Sequence, residues 1–125
     1  MENMTFKHIS VNFTDDVTRV DFSYRQAGDP RSVAAIEEEL DQVAGTTQGP
    51  LLLNMATFEH FSSSFLGALV SLTKRMRREG RSFAICRLRP EPMRILRMTK
   101  LDGVVPNYPS EKEALTALMP TGGRS

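Results

Sequence analysis

The sequence holds a single cysteine, Cys86. One thiol cannot close an internal disulfide, so the fold must be held by packing, and the composition suits a reducing compartment. No apolar run approaches the ~18 residues that a membrane helix needs, so membrane insertion is not expected. The opening residues, MENMTFKH, lack a basic segment followed by an apolar one. They do not read as a signal peptide, and a cytoplasmic setting is expected. Metal-ligand spacing is missing, since His8, His60 and Cys86 stand far apart. There is no glycine-rich phosphate loop and no G-x-S-x-G elbow. His60 precedes Ser63 by three residues. A nucleophile–base pair there would straddle a strand-to-helix turn with no third group to orient it. Neither an enzyme nor a bound cofactor or metal is therefore expected. The net charge of +1 gives no global pull toward nucleic acid. The basic stretch Lys74, Arg75, Arg77, Arg78 and Arg81 also lacks the interleaved aromatics of a nucleic-acid surface.

What remains is an ordinary globular composition, 40% hydrophobic and 25% charged over 125 residues. It predicts one domain, with a core over about 5–118 and a flexible tail at 119–125. Charge is uneven. Residues 74–100 hold ten basic residues against Glu79 and Glu91, whereas residues 1–49 are predominantly acidic. This is either a docking surface for an acidic partner or phosphate, or a pair of solvated faces.

Alternation in FKHISVNFTDD and VTRVDFSY predicts two strands joined at DD as a hairpin. In GDP, Asp29 is a candidate cap and Pro30 suits a first helical position. Val33, Ile36, Leu40 and Val43 then follow helical spacing, with Gly45 as the stop. PLLLNMA and SFAICRL read as buried strands, separated by a helix over about 63–79 that ends at Gly80. Pro90 and Pro92 open a helix through Arg94, Leu96 and Met98, with Met93 and Met98 expected to fill core gaps. GVVP is expected as a last strand, and Ser110 with Glu113 forms a capping-box pattern for a final helix. The order β-β-α-β-α-β-α-β-α implies an α/β domain with four helices and a mostly parallel sheet, preceded by an antiparallel hairpin.

The helix over 63–79 opens on three successive hydroxyls, Ser62, Ser63 and Ser64. One serine suffices as a cap. A helix N-terminus also attracts phosphate through its unpaired N–H groups and dipole, so a phosphorylatable hydroxyl suits the position as well. If SFAICRL runs parallel to PLLLNMA, Arg87 and Arg89 emerge at the same sheet edge as candidate phosphate partners. On the helical wheel Leu66, Leu69, Val70, Thr73 and Met76 form the sheet-facing stripe, and Phe65, Ala68 and Leu72 widen the apolar arc beyond a half-circle. The excess is either a partner contact surface or is covered by neighbouring helices.

These stretches, clearest from LLLNMATFEHFSSSFLGALVSLTKRMRREGRSFAICRLRP through LRMTKLDGVVPNYPSEKEAL, resemble the STAS domain of bacterial anti-sigma factor antagonists and sulfate-transporter tails. The family pattern is a hydrophobic strand ending in Asp, a Phe-rich turn, then Asp-Ser-Ser-Gly-Leu-Gly opening a helix. The resemblance implies partner switching. An unphosphorylated antagonist binds a serine kinase that doubles as anti-sigma factor, and phosphorylation after the motif Asp releases it. Carried over, the phosphoacceptor is Ser63, with Ser62 and Ser64 as neighbouring candidates. The implied docking edge is Ser62, Ser64, Phe65, Leu66, Ala68 and Leu72. The sequence departs from the pattern at Ser62 and Asn54, which stand where the family has Asp, and at Phe65, which stands where it has the first glycine. The resemblance also admits a second role, as a non-switching scaffold or an accessory subunit of a lipid-transporting ABC system.

Overall fold

The computed structural model describes residues 4–5, 8–14, 16–23, 26–27 and 30–118. Asp15, Asp29 and the tail at 119–125 lie outside them, so the expectations for the Asp29 cap and for that tail do too. The elements run β1 (Met4–Thr5), β2 (Ile9–Thr14), β3 (Val17–Phe22), β4 (Gln26–Ala27), α1 (Pro30–Thr46), β5 (Leu51–Asn54) and β6 (His60–Phe61). They continue with α2 (Ser63–Arg78), β7 (Phe83–Cys86), α3 (Pro90–Met98), β8 (Asn107–Tyr108) and α4 (Glu111–Leu118). A six-stranded sheet has the order β1-β2-β3-β5-β7-β8. The β1–β2 and β2–β3 pairs are antiparallel, while β3–β5, β5–β7 and β7–β8 are parallel. The expected mostly parallel α/β architecture with an N-terminal hairpin and four helices is therefore what the chain adopts.

Alternation sorts the strand residues between two layers. Ile9, Val11, Val20, Phe22, Leu51, Leu53, Phe83 and Ile85 join side chains of α1, α2 and α3 in the main core. The opposite sheet face buries Val17, Leu52, Ala84 and Cys86 under Ala114 and Leu118 of α4. Arg19 of β3 pairs with Glu111 and helps fix α4 to that face. In the hairpin Thr14 pairs with Val17, and Asp16 takes a φ of 66°. Aspartate tolerates this left-handed geometry better than most side chains.

Three sequence expectations shift. Helix α1 does not stop at Gly45 but runs through Thr46. Its last carbonyls have partners: Thr46 Oγ1 donates to Gln42 O at 2.8 Å, Thr47 Oγ1 to Val43 O at 2.6 Å and Arg81 to Ala44 O at 2.8 Å. The left-handed turn falls instead at Gly49, with φ 82°. The last strand is Asn107–Tyr108 and not GVVP, because the N–H groups of Val104 and Val105 both close turns onto Leu101 O at 2.9 Å. Met98 does not fill the core; it is 65% exposed. The single buried stripe of α3 is Pro92 and Leu96, and Met98 lies roughly 200° around the helix from Leu96.

Candidate functional site

Strand β5 is the central strand behind the serines, and its three leucines are completely buried. It ends at Asn54, whose side-chain amide donates to Asp21 Oδ1 at 2.8 Å and accepts the Ala56 N–H at 3.1 Å. An aspartate at this position would set a second carboxylate against Asp21. The amide supplies the donor that such a contact needs, which accounts locally for this departure from the family pattern.

The chain then crosses Met55 and Phe58 and returns as β6, which pairs in parallel with β4 through Gln26–His60 and Ala27–Phe61. His60 is exposed at this short strand. Below the segment lies an aromatic cluster. Phe58 and Phe65 have centroids 4.9 Å apart, Phe61 and Phe65 5.0 Å, and Phe22 and Phe58 4.9 Å. Buried aromatic contacts of this kind add to the area term and hold the approach to α2 rigidly.

Helix α2 begins directly on this platform. Ser62 is the N-cap, with φ −87° and ψ 164°, and its Oγ accepts the Phe65 N–H at 3.1 Å. One of the three hydroxyls is thus spent on capping. Ser63 and Ser64 are exposed, and among the described residues their hydroxyls take no hydrogen bond. The first turn carries no acidic side chain, whereas the last turn carries Arg75, Arg77 and Arg78. The positive N-terminal end of the helix dipole is therefore not offset by its own side chains, a setting that favours an incoming anion.

The apolar part of the predicted docking edge requires correction. Phe65, Leu66, Ala68 and Leu72 are buried at 0%, 6%, 7% and 5% exposure. Phe65 is enclosed by the aromatic cluster, and Leu66 and Leu72 join the core shared with α1, which packs against α2. The wide apolar arc is explained by two neighbours, the sheet and α1. Phe65, in the family's glycine position, puts its bulk inside the molecule and not in the path of a partner.

The outward stripe is different: Ser63, Ser64, Gly67 and Ser71 are exposed, with Lys74, Arg77 and Arg78 following. Gly67, which matches the later glycine of the family pattern, and Ser71 lie outside the docking edge expected from the sequence, although helical spacing from Ser63 reaches both. A Cβ added at Gly67 meets nothing within 4 Å.

Arg87 and Arg89 do leave the sheet at this edge. Asn54 and Cys86 are register partners, and Arg89 Nε donates to Ala56 O at 2.6 Å, tying the start of α3 to the loop after β5. Arg87 is exposed, with φ 61°. Among the described residues neither guanidinium hydrogen-bonds Ser62, Ser63 or Ser64. Cavities of about 780, 390 and 260 Å³ are lined by other residues, so the serines stand on an open surface outside any of them. Among the described residues no group of three or more His, Cys, Asp or Glu side chains could hold a metal ion. Also among them, no helix is long and apolar enough to cross a membrane. Cys86 is buried, and burial, with Glu111 adding to it, pushes its thiol up to about 11.

A family model described as the STAS domain matches residues 8–114. Among solved structures, an anti-sigma-factor antagonist (STAS) domain protein from Planctomyces limnophilus aligns with a TM-score of 0.80 and 28% identity, over 88% of this chain and 97% of that one. An anti-sigma factor antagonist from Mycobacterium paratuberculosis aligns at 0.78 and 24%, over 94% of each chain. The anti-sigma factor antagonist SpoIIAA in its unphosphorylated form aligns at 0.69 and 12%, over 87% of this chain and 94% of that one. At these last two identities the likeness is one of fold. No curated protein matches the sequence.

Proposed function

Because the chain belongs to the STAS domain family, we propose that it is a non-enzymatic, protein-binding regulator of the anti-sigma factor antagonist kind. It docks a serine-kinase or anti-sigma partner with the N-terminal half of α2, and Ser63 is the phosphoacceptor. The contact stripe is Ser63, Ser64, Gly67 and Ser71, all exposed, with Ser62 kept as the cap beneath.

Gly67 is the observation that carries this reading. A glycine within a helix costs about 1 kcal/mol relative to alanine. No neighbour among the described residues requires it, since a Cβ there meets none of them within 4 Å. Its absent side chain serves something that approaches from outside, next to a serine with a free hydroxyl. Replacement of the motif Asp by Ser62 keeps the cap, since serine and aspartate cap comparably. A phosphate on Ser63 would stand at the uncompensated end of the helix dipole, with Arg87 and Arg89 on the same sheet edge as its candidate partners. Added charge and bulk in the middle of a flat contact stripe would release the partner by like-charge repulsion and desolvation.

The test is incubation with ATP and a serine kinase encoded beside this protein, followed by peptide mass spectrometry and co-elution. A single phosphate on Ser63, absent in Ser63→Ala, and a complex lost in Ser63→Glu are expected. No modification of Ser62, Ser63 or Ser64, together with capture of a transporter ATPase in place of the kinase, would transfer the chain to the accessory-subunit role.

A further inference from the structure

A cavity that none of the three serines lines lies at the outer edge of the sheet. Strand β8 is the last strand, and α3 packs on the layer beside it. Between them is a cavity of about 260 Å³, room for one or two large side chains, with Leu88, Met93, Tyr108 and Pro109 as walls. Arg97 and Asn107 complete its lining. Asn107 is already engaged, its amide donating to Asp102 O at 3.0 Å and Val105 O at 2.7 Å. Arg97 is exposed and makes no ion pair among the described residues.

The charge near this cavity is predominantly positive. Of the two acids in residues 74–100, Glu79 is taken by Arg75 and Arg81, and Glu91 by Arg94 at 2.5 Å. Among the described residues Arg97 and Lys100 are exposed and form no ion pair, which leaves this end of α3 cationic beside the exposed Asp102, whose carbonyl accepts the Asn107 amide. An apolar hole with a cation in its rim is the pattern of a small recognition surface.

We propose that this cavity docks an acidic segment of a partner polypeptide, a large apolar side chain entering between Leu88, Met93 and Tyr108 while flanking carboxylates meet Arg97 and its neighbouring cations. A second copy of the chain fits poorly. Its α3 brings the same cations, and its acidic α1, with Glu37 and Glu38 outward, offers no exposed large apolar side chain among the described residues. The two larger depressions are weaker candidates. Thr46 and Thr47 in their walls already donate to α1 carbonyls, and the Arg81 of the second is held by Ala44 O and Gly49 O.

The site is tested with the full chain and the acetylated peptide Glu-Glu-Leu-Glu-Glu, followed by two-dimensional NMR at low salt. Amide shifts centred on Leu88, Arg97 and Tyr108 are expected, with a dissociation constant on the order of 1 mM or tighter. The peptide with alanine in place of leucine should bind at least about fivefold more weakly. Arg97→Glu should weaken binding by about tenfold or more, while reversing a cation on α2, Lys74→Glu, should change it less than about twofold. Four results would each overturn the proposal. They are no shifts at these residues, equal binding of the alanine peptide, equal loss in Lys74→Glu, and phosphatidylglycerol vesicles or a single-stranded oligonucleotide engaging these residues while the peptide does not. None of these variants touches the serines, so failure here leaves the reading of Ser63 standing, and the reverse also holds.

Discussion

Replacing Gly67 by alanine separates a residue kept for the fold from one kept for an encounter. Gly67 sits in the second turn of α2, exposed, at a helical position where an added Cβ meets nothing within 4 Å. Alanine should therefore recover the full propensity difference, about 1 kcal/mol, with no steric cost inside the chain. Unfolding entropy of about 2.1 cal/mol/K per residue, taken over 125 residues, turns that into a rise in Tm of roughly 4 °C. Thermal melting followed by far-UV circular dichroism measures it, with urea titration as a check that the slope m is unchanged. The same variant should dock its kinase or anti-sigma partner at least about tenfold more weakly, because a methyl group now stands on a surface fitted without it. A Tm that stays the same or falls would refute the reasoning by exposing an intramolecular use for the glycine. A higher Tm with unimpaired docking would remove Gly67 from the contact stripe.

The three serines should separate in stability. Ser62→Ala, which removes the acceptor for the Phe65 N–H, should cost about 1 kcal/mol, while Ser63→Ala and Ser64→Ala stay within about 0.5 kcal/mol; chemical denaturation tests the split. Arg81 donates to Gly49 O, Ala44 O and Thr47 Oγ1 and so joins the end of α1 to the loop leading into β5. Arg81→Ala should lose about 2–3 kcal/mol, and Arg81→Lys should recover only part of this, because an ammonium group cannot reproduce the guanidinium fork. Cys86, with its thiol pushed up to about 11, should stay protonated and unreactive toward a thiol reagent from pH 7 to 9, and react at the normal rate only in denaturant. Fast native-state reaction at pH 8 would contradict its burial. On the acid side, the Arg75 and Arg81 hydrogen bonds hold the Glu79 carboxyl below 4.5. The stabilisation this gives is complete above that value and is lost as pH falls through the lowered one, so Glu79→Gln should flatten the stability-versus-pH curve below pH 4.5.

Periodicity alone decided much of this protein. Continuous apolar runs marked β5 and β7 as buried parallel strands, and the 3.6-residue spacing of Val33, Ile36, Leu40 and Val43 marked α1. Gly80, with φ 69°, ended α2 where a residue without a Cβ is most readily accommodated. The serine triplet marked the candidate site because hydroxyls beyond the one needed as a cap are visible without coordinates. Short elements were not legible. The two-residue β4 and β6 have no period to read, and β8 was misplaced because GVVP is β-branched yet spends its N–H groups on turns.

The role of each side of α2 lay beyond the sequence, because a helical wheel gives angles and not neighbours. The wheel leaves Phe65 and Leu72 open to a partner or to a neighbouring element, and it takes Phe22 and α1, from distant segments, with Phe58 and Phe61, to bury them. Gly67 matches the later glycine of the family pattern, but only the structure leaves it, with Ser71, bare beside Ser63. The local chain fixed which residues form a helix, since that depends on spacing within a few turns. Only long-range packing decided which face is covered and which is offered outward, since that depends on groups brought together from tens of residues away.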